Sequence, residues 1–202
     1  MDTQATVFIV DDDEAIRHAM GLLMRSVGQP CATFHSADDF LESYSDDREG
    51  CLVLDIRMPG LGGFELQEKM KELGSTLPII FITGHGDVPM AVEAMQNGAF
   101  DFIQKPFRDQ DLLDRIGLAM RADRTKRAEQ QKRTDLVGRL LKLTRREREV
   151  MDLVVTGKPN KIIAFELGVS QRTVEIHRAR VMEKMQAASL ADLVRMNLEA
   201  AN

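Results

Sequence analysis

The sequence lacks the long hydrophobic stretch that a membrane-spanning helix requires. Such a helix needs roughly 18 consecutive apolar residues, and the longest apolar run, around residues 79–82, is far shorter. The first residues, Met-Asp-Thr-Gln, show neither the basic nor the apolar segment of a secretion signal. We therefore expect a cytoplasmic protein that does not bind membranes.

Cysteine is scarce as well. Cys31 and Cys51 are the two cysteines, and they stand 20 residues apart in apolar, strand-like segments. Their spacing indicates neither a metal site nor a disulfide framework, so we expect two buried free thiols. The sequence has no internal repeat and no low-complexity segment. With 44% hydrophobic and 29% charged residues, its composition excludes collagen-like and disordered chains.

The excess of acidic residues is small overall but uneven along the chain. The 202 residues carry a formal net charge of −5, which as a bulk value argues against nucleic-acid binding. However, residues 1–120 hold 21 acidic and 9 basic side chains, a net charge of −12. Residues 121–202 hold 11 acidic and 18 basic side chains, a net charge of +7. An acidic half joined to a basic half predicts two domains with different partners.

The first 107 residues alternate continuous apolar runs, typical of buried strands, with amphipathic segments, typical of helices. This alternation predicts an α/β fold with a parallel sheet that helices cover on both faces. Right-handed crossovers favour the five-stranded, doubly wound order 2-1-3-4-5. The predicted strands cover residues 7–10, 31–34, 51–55, 79–83 and 100–104, and the predicted helices cover 14–27, 36–44, 64–73 and 89–96.

The pattern changes from about residue 109. An apolar helical stripe there ends at Met120, and a strongly charged segment follows. We predict a first domain over residues 1–122, a charged helical linker over 123–142 and a second domain over 143–202. A flexible charged linker is the alternative. A coiled coil is disfavoured because no apolar heptad continues past Met120.

The second domain is predicted to be all-α, with four short helices. Capping residues and glycines delimit these helices over 145–156, 159–167, 170–185 and 189–199. The second and third helices, joined at Gly168, form a helix-turn-helix pattern.

The third of these helices has two different faces. Val174, Val181 and Met185 share one face, with His177 beside them. The opposite face is predicted to be exposed and carries Arg172, Glu175, Ile176, Ala179 and Met182, flanked by Arg178 and Arg180. In a segment of net charge +7, such a face suits the negatively charged groove of DNA. A solvated amphipathic helix is the alternative.

Polar residues follow the strands of the predicted sheet at the end where ligands of doubly wound folds bind. Asp11, Asp12 and Asp13 follow the first strand, and Asp55 ends the third. These strands are neighbours in the predicted order, and like charges a few Å apart repel by about 4 kcal/mol per pair at an effective dielectric of 20. A divalent cation removes this repulsion, and carboxylates plus water are the ligands that Mg²⁺ prefers.

Thr83 ends the fourth strand and Lys105 follows the fifth, so a hydroxyl and an ammonium join the carboxylates. The turn after the first strand is not glycine-rich, so it does not predict a nucleotide site. We predict phosphoryl transfer onto Asp55, with Mg²⁺ offsetting charge and with Thr83 and Lys105 contacting phosphate oxygens. A Mg²⁺-dependent phosphohydrolase with an aspartate nucleophile is an alternative. A DNA-binding protein whose first domain works without phosphorylation is another.

Residues 1–122 resemble a response-regulator receiver domain. The matching motifs are Val10-Asp11-Asp12, Leu54-Asp55-Ile56-Arg57-Met58-Pro59-Gly60, Ile82-Thr83-Gly84 and Lys105-Pro106-Phe107. The resemblance implies that a sensor histidine kinase phosphorylates Asp55. It also implies Mg²⁺ binding by Asp12, Asp55 and the backbone carbonyl of Arg57, with Asp11 acting through water.

The same resemblance implies a switch formed by Thr83 and Phe102 and a cis bond between Lys105 and Pro106, which proline permits. Residues 83–95 are similar to the FixJ branch of the family. His85 stands in this stretch at the rim of the predicted pocket, where it either influences the lifetime of the phosphoryl group or is a surface residue.

Residues 143–199 resemble the LuxR-type DNA-binding domain. The motifs are Leu143 to Val150 (Leu-Thr-Arg-Arg-Glu-Arg-Glu-Val), Pro159 to Ala164 (Pro-Asn-Lys-Ile-Ile-Ala) and Thr173-Val174-Glu175-Ile176-His177. The resemblance implies that the third helix enters the major groove. Glu175, Ile176 and Ala179 would face base edges, Lys161, Arg172 and Arg178 would contact phosphates, and Thr173 belongs to the same interface. Many relatives have lysine where Glu175 stands; glutamate accepts from cytosine N4 but gains nothing from phosphates.

Together the two resemblances identify the chain as a two-domain transcriptional response regulator of the FixJ/NarL family. This implies that the chain is not a turnover enzyme, since its chemistry would be limited to phosphorylation and autodephosphorylation at Asp55. Phosphorylation would promote homodimerisation through the fourth helix and fifth strand of the receiver. It would also favour binding to promoter DNA, with RNA polymerase as a further candidate partner.

Overall fold

The computed structural model describes residues 5–46, 48–84 and 88–201. Within these residues it has five strands and nine helices. The strands are β1 (Thr6–Val10), β2 (Cys31–Phe34), β3 (Gly50–Asp55), β4 (Ile79–Thr83) and β5 (Asp101–Gln104). The helices are α1 (Glu14–Ser26), α2 (Ala37–Ser43), α3 (Gly63–Glu72), α4 (Val88–Gln96), α5 (Asp109–Leu141), α6 (Arg145–Val155), α7 (Asn160–Leu167), α8 (Gln171–Met185) and α9 (Leu190–Ala201).

The five strands form one parallel sheet in the order β2-β1-β3-β4-β5, which confirms the predicted topology. β3 is central, and all six of its residues are buried. The observed strands differ from the predicted ones by a single residue at the start of β1, β3 and β5. Because the strands are parallel, the ends of β1, β3, β4 and β5 that carry the polar residues lie along one edge of the sheet.

Helices cover both faces of the sheet with apolar side chains. On one face Phe40 of α2, Leu66 of α3 and Ala94 of α4 are buried against the strands. On the other face Met24 of α1 and Leu112 of α5 are fully buried. Each large apolar side chain buried in this way stabilises the fold by about 1.5–3 kcal/mol. Cys51 is fully buried, as expected, whereas Cys31 is partly exposed; both thiols are free.

The charged segment after Met120 is helical, because α5 continues without interruption to Leu141. The structure therefore differs from the flexible-linker alternative. The chain divides into two compact units within α5, one ending at Arg127 and the other beginning at Ala128. In the part of the chain that the structure describes, no helix combines the length and the hydrophobicity needed to cross a membrane.

The second unit is all-α, with a core formed by the last part of α5 and by α6–α9. Val150 and Val154 of α6, Ile163 of α7 and Val181 of α8 are buried in it. Thr144 and Glu147 form the predicted capping box at the start of α6. The prediction was wrong for Met182, which was placed on the exposed face of α8 but packs against this core.

Candidate functional site

Three residues of the predicted acidic cluster are in direct contact. The Nζ of Lys105 lies 2.8 Å from Oδ2 of Asp11 and 2.9 Å from Oδ1 of Asp55. Asp11 and Asp55 follow and end the neighbouring strands β1 and β3, and both side chains are buried. Burial leaves these carboxylates with little water, so the ammonium of Lys105 is their main counter-charge.

The backbone around Asp55 also fixes the orientation of its carboxylate. Oδ2 of Asp55 accepts a hydrogen bond from the Arg57 N–H at 2.8 Å, while Oδ1 accepts from Lys105. Gly63, at the start of α3, approaches Asp55 closely, and a Cβ at this position would lie 2.5 Å from the Asp55 carbonyl oxygen. The turn after β3 therefore requires glycine at position 63.

Burial and ion pairing shift the pKa values of Asp11 and Lys105 in opposite directions. Burial raises the pKa of Asp11, although hydrogen bonds from Lys105 and from the Asp13 N–H oppose the rise. Burial alone would lower the pKa of Lys105, but its hydrogen bonds to Asp11 and Asp55 outweigh this, and the pKa is raised. Lys105 is therefore charged at neutral pH, and the site favours a cation beside Asp11.

The other acidic residues after β1 have different positions. Asp12 is exposed. Asp13 caps α1, because its Oδ1 accepts hydrogen bonds from Ala15 N at 2.8 Å and Ile16 N at 3.4 Å. Among the described residues there is no group of three His, Cys, Asp or Glu side chains arranged to bind a metal ion. With Lys105 between Asp11 and Asp55, these carboxylates contact an ammonium.

The carboxylates of Asp11 and Asp55 are nevertheless suited to Mg²⁺. Both are buried oxygen donors, and one cationic group contacts both of them at hydrogen-bonding distance. The exposed carboxylate of Asp12 is the next residue along the chain. Oxygen ligands with access to water are what Mg²⁺ requires, so the donor set fits this ion.

The predicted switch residues lie beside this site on β4 and β5. Thr83 ends β4 and is buried, and its backbone carbonyl accepts a hydrogen bond from Lys105 N at 2.8 Å. The ring of Phe102 on β5 is partly buried against the core on the α2–α4 face. The bond between Lys105 and Pro106 is cis, as the family resemblance implied. His85 lies outside the described residues.

The helix-turn-helix of the second unit is formed by α7 and α8. Gly168 ends α7 in the left-handed conformation (φ 65°), and Ser170 caps α8 by accepting a hydrogen bond from Thr173 N at 3.1 Å. The predicted exposed face of α8 is exposed at Arg172, Glu175, Ile176 and Ala179. Lys161 on α7 is exposed as well.

Contacts within the helix-turn-helix were not anticipated from the sequence. Nη1 of Arg178 donates a hydrogen bond to Oδ1 of Asn160 at 3.0 Å, which joins α8 to the first residue of α7. The sequence signal for this contact is Asn160 itself, which directly follows Pro159 at the start of a helix.

Two further side chains of the helix-turn-helix have unusual surroundings. Phe165 on α7 is 86% exposed, one helical turn after Lys161. The Nδ1 atom of His177 is buried and, within the described residues, has no hydrogen-bond partner.

An ion pair between the buried carboxylate of Glu147 and the partly exposed Lys184 fixes α8 against the start of α6. Oε2 of Glu147 lies 2.7 Å from Lys184 Nζ and also accepts a hydrogen bond from Thr144 N at 2.7 Å. The hydrogen bond from Lys184, together with that from Thr144, lowers the pKa of Glu147 to about 2. The capping box was visible in the sequence, but the contact with Lys184, 37 residues away, was not.

Comparison with known protein families gives two matches. The family model described as "Response regulator receiver domain" matches residues 7–117. The family model described as "Bacterial regulatory proteins, luxR family" matches residues 141–197. Each match coincides with one of the two kinds of site described above.

Curated proteins and solved structures similar to the chain extend over nearly its whole length. Nodulation protein W of Bradyrhizobium diazoefficiens is 49% identical over 195 residues, 96% of this chain and 86% of that protein. The transcriptional regulatory protein FixJ of Rhizobium meliloti is 47% identical over 196 residues, 97% of this chain and 96% of that protein. The structure of the response regulator StyR has a TM-score of 0.92 and 43% identity, covering 97% of this chain and 99% of that one.

Proposed function

Since this chain belongs to the two-component response regulators that join a receiver domain to a LuxR-type DNA-binding domain, we propose that phosphorylation of Asp55 controls its sequence-specific binding to promoter DNA. The observation that carries this proposal is the contact of buried Asp55 with Lys105 at the edge of the sheet. We propose residues 1–122 as the receiver, 123–142 as the helical linker and 143–202 as the DNA-binding domain.

The phosphodonor is the phosphohistidine of a sensor kinase. A carboxylate oxygen of Asp55 attacks the phosphorus, the bond to the imidazole nitrogen breaks, and an acyl phosphate forms on Asp55. Lys105 and Thr83 are placed to contact phosphate oxygens, because they lie at the ends of β5 and β4 beside Asp55. The family is one of transcription regulators, and the chemistry of this chain is phosphorylation and autodephosphorylation at Asp55, without turnover of other substrates.

The proposed Mg²⁺ ligands are Asp11 through water, Asp12, Asp55 and the backbone carbonyl of Arg57. When bound, Mg²⁺ offsets the negative charge on the carboxylates and on the transferring phosphoryl group. The buried carboxylates of Asp11 and Asp55 support this assignment. Lys105 then exchanges its contact with Asp11 for one with the phosphoryl group.

The phosphorylated receiver forms a homodimer through α4 and β5, with Thr83 and Phe102 as the switch. The exposed face of α4 supports this choice, because Val88, Val92 and Met95 are 77%, 48% and 48% exposed. These residues are spaced by four and three positions and form an apolar stripe along one side of the helix. A second copy of the chain that covers this stripe removes it from water.

The DNA-binding domain places α8 in the major groove. Glu175, Ile176 and Ala179 face base edges, and Lys161, Arg172 and Arg178 contact phosphates, with Thr173 at the start of the same helix. The exposure of Arg172, Glu175, Ile176 and Ala179 on one face supports this placement. RNA polymerase is a further candidate partner at the promoter. A cytoplasmic location follows from a kinase and promoter DNA as partners.

Phosphate incorporation distinguishes a response regulator from a phosphohydrolase. The full chain is incubated with Mg²⁺ and labelled acetyl phosphate to measure bound phosphate, and separately with Mg²⁺ and a small phosphate ester to measure released phosphate. The proposal predicts at most one acyl phosphate per chain, none in Asp55→Asn, and no multiple turnover of small phosphate esters. A stable acyl phosphate in Asp55→Asn would show that Asp55 is not the sole phosphoacceptor.

A further inference from the structure

Asp123 occupies a position on α5 where an apolar residue would be expected. Leu112, Ile116 and Ala119 form the buried stripe with which α5 packs on the sheet. Asp123, four residues after Ala119, continues the same face of the helix and is 3% exposed. A buried carboxylate is unfavourable unless it is paired and hydrogen-bonded.

The partners of Asp123 come from the helix itself and from the start of β3. Arg127, one turn later, donates from Nε to Oδ1 at 3.0 Å and to Oδ2 at 2.9 Å. The backbone N–H of Gly50 donates to Oδ2 at 2.9 Å. Arg127 also donates from Nη1 to the Asp46 carbonyl at 3.2 Å and from Nη2 to the Arg48 carbonyl. The pair therefore joins α5 to the segment before β3.

The segment before β3 is itself constrained. Gly50 has φ 144°, and a Cβ there would lie 1.8 Å from the carbonyl oxygen of Thr6 on β1. Glycine therefore allows the backbone at the start of β3 to run close to both β1 and Asp123. Six residues of buried strand connect Gly50 to Asp55, the proposed phosphoacceptor, at the other end of β3.

Stability alone does not require charged residues at this point. An apolar pair of similar size is often as stable as a buried ion pair, whereas removing one partner is strongly destabilising because it leaves the other charge buried and unpaired. The ion pair instead fixes the direction in which α5 leaves the sheet, because its hydrogen bonds join α5 to particular backbone atoms of one loop. The contact lies past Met120, where the apolar stripe of α5 ends.

We propose that Asp123 and Arg127 are positioning residues that anchor the beginning of the linker helix to the receiver, and that phosphorylation of Asp55 alters DNA binding only while this anchor is intact. The inference rests on the proposed function and deepens it. The anchor makes the linker helix follow the receiver when the receiver changes conformation or dimerises. Without it, α5 is held by its apolar stripe alone, and the helix after Met120 is free to change direction.

The full chain with Arg127→Met tests this role, since methionine keeps the helix propensity and the length of the side chain while removing its donors. Arg124→Met is the matched control, because Arg124 is an exposed cation on the same helix. The double variant Asp123→Leu with Arg127→Met leaves no unpaired buried carboxylate. It therefore tests the anchor even if the single variant unfolds.

Two quantities are measured for each variant with acetyl phosphate and Mg²⁺: phosphate on Asp55, and the ratio of DNA dissociation constants without and with the phosphodonor. We expect normal phosphate incorporation and a ratio at least fivefold lower than in the wild type for Arg127→Met and for the double variant. Arg124→Met should match the wild type. A wild-type ratio in the double variant, or loss of phosphorylation itself, would overturn the proposed role.

Hydrogen exchange provides a readout that does not depend on phosphorylation. We expect amides around residues 123–131 to exchange at least tenfold faster in Arg127→Met and in the double variant than in Arg124→Met. Unchanged exchange would contradict the anchor. If the wild type shows no response of DNA binding to phosphate while exchange behaves as expected, the proposed function fails and the anchor does not.

Tyr44 supplies a spectroscopic signal at the same place. It is the single tyrosine of a chain without tryptophan. Burial raises the pKa of its hydroxyl, which also interacts with Ser75, Asp46 and Arg127. Loss of the anchor therefore predicts that tyrosine emission in Arg127→Met differs from that of the wild type, whereas Arg124→Met matches the wild type. Equal emission in all three proteins would count against the anchor.

Discussion

Lys105 donates a hydrogen bond to the proposed phosphoacceptor Asp55, with Nζ 2.9 Å from Oδ1. The same ammonium lies 2.8 Å from Oδ2 of Asp11. It is therefore a cationic group between two carboxylates of the site proposed for Mg²⁺. Asp55 is also a proposed ligand of Mg²⁺, so the ammonium and a divalent ion would compete in offsetting its charge. We expect both Mg²⁺ binding and phosphorylation to change this contact.

Lys105→Met is expected to strengthen Mg²⁺ binding several-fold while abolishing the response to phosphorylation. Without the ammonium, Asp11 and Asp55 repel each other and a divalent ion removes the repulsion. The phosphorylated form, in contrast, loses a charge-assisted contact to its phosphate oxygens. Calorimetric Mg²⁺ titration and DNA binding with acetyl phosphate measure the two effects. Arg108→Met is the control, because Arg108 is an exposed cation three residues after Lys105. Weaker Mg²⁺ binding in Lys105→Met would contradict the competition between the ammonium and the metal ion.

The DNA-binding domain is expected to lose stability in acid through Glu147. Its pKa in the folded protein is about 2, below the ordinary value of 4.5. The charged form therefore stabilises the folded state above pH 4.5, and this stabilisation is lost as the pH falls from 4.5 to about 2. Glu147→Gln should be less stable than the wild type by about 2 kcal/mol at neutral pH, since hydrogen bonds to a charged group are lost. The difference should shrink towards pH 2.

Calorimetry of the full chain over this pH range measures the effect of Glu147→Gln on the transition of the second unit. Glu149→Gln is a suitable control, because Glu149 lies on the same helix and is paired with exposed arginines. A difference between wild type and Glu147→Gln that stays constant from pH 7 to pH 3 would show that the ion pair with Lys184 does not carry the stability.

Substitutions on α8 should separate base recognition from phosphate contact. Glu175→Ala is expected to relax preference at one base pair by about 1–3 kcal/mol and to leave the salt dependence unchanged. Arg172→Ala is expected to weaken binding to all sequences and to reduce the slope of log K against log salt by about 1. Binding to a panel of single-base operator variants at several salt concentrations measures both. If Glu175→Ala changes the affinity for every operator variant equally, Glu175 does not contact a base.

Polar substitution of the exposed stripe on α4 should weaken dimerisation of the phosphorylated protein. Val88→Ser with Val92→Ser removes two apolar side chains that a partner copy would bury. At about 1.5 kcal/mol or more per side chain, this corresponds to roughly hundredfold or greater weakening. Sedimentation with acetyl phosphate and Mg²⁺ measures the dimer constant. Leu73→Ser, which changes an exposed leucine after α3, should have no effect; a similar loss in this control would place the interface elsewhere.

The fold of the receiver and the place of its site were predictable because each depends on a local pattern. Continuous apolar runs mark buried strands, and the parallel order brings the residues after β1, β3 and β5 to one edge, where Asp11, Asp55 and Lys105 are in contact. Whether Lys105 or a metal ion holds the carboxylates is a matter of competing charges, which sequence spacing does not express. Asp11, Asp12 and Asp13 are consecutive, yet Asp11 is buried while Asp12 and Asp13 are exposed, and Asp13 caps α1.

Burial of charged residues was the feature that the sequence pattern did not reveal. Asp123 and Arg127 were assigned to the linker because the segment after Met120 is strongly charged and has almost no apolar residues. Their burial depends on a backbone N–H and two carbonyls from a loop more than 70 residues earlier. Met182 was assigned to the exposed face of α8 by helical spacing, whereas the width of the apolar face decides that it packs.

The measurement that tests the central claim most directly is the affinity of the full chain for its operator with and without acetyl phosphate and Mg²⁺, in the wild type and in Asp55→Asn. The operator is first obtained by footprinting on genomic fragments with the phosphodonor present. The account predicts at least tenfold tighter binding of the wild type on phosphorylation and no change in Asp55→Asn. Equal affinity of the wild type in both conditions, with Asp55 shown to be phosphorylated, would contradict it.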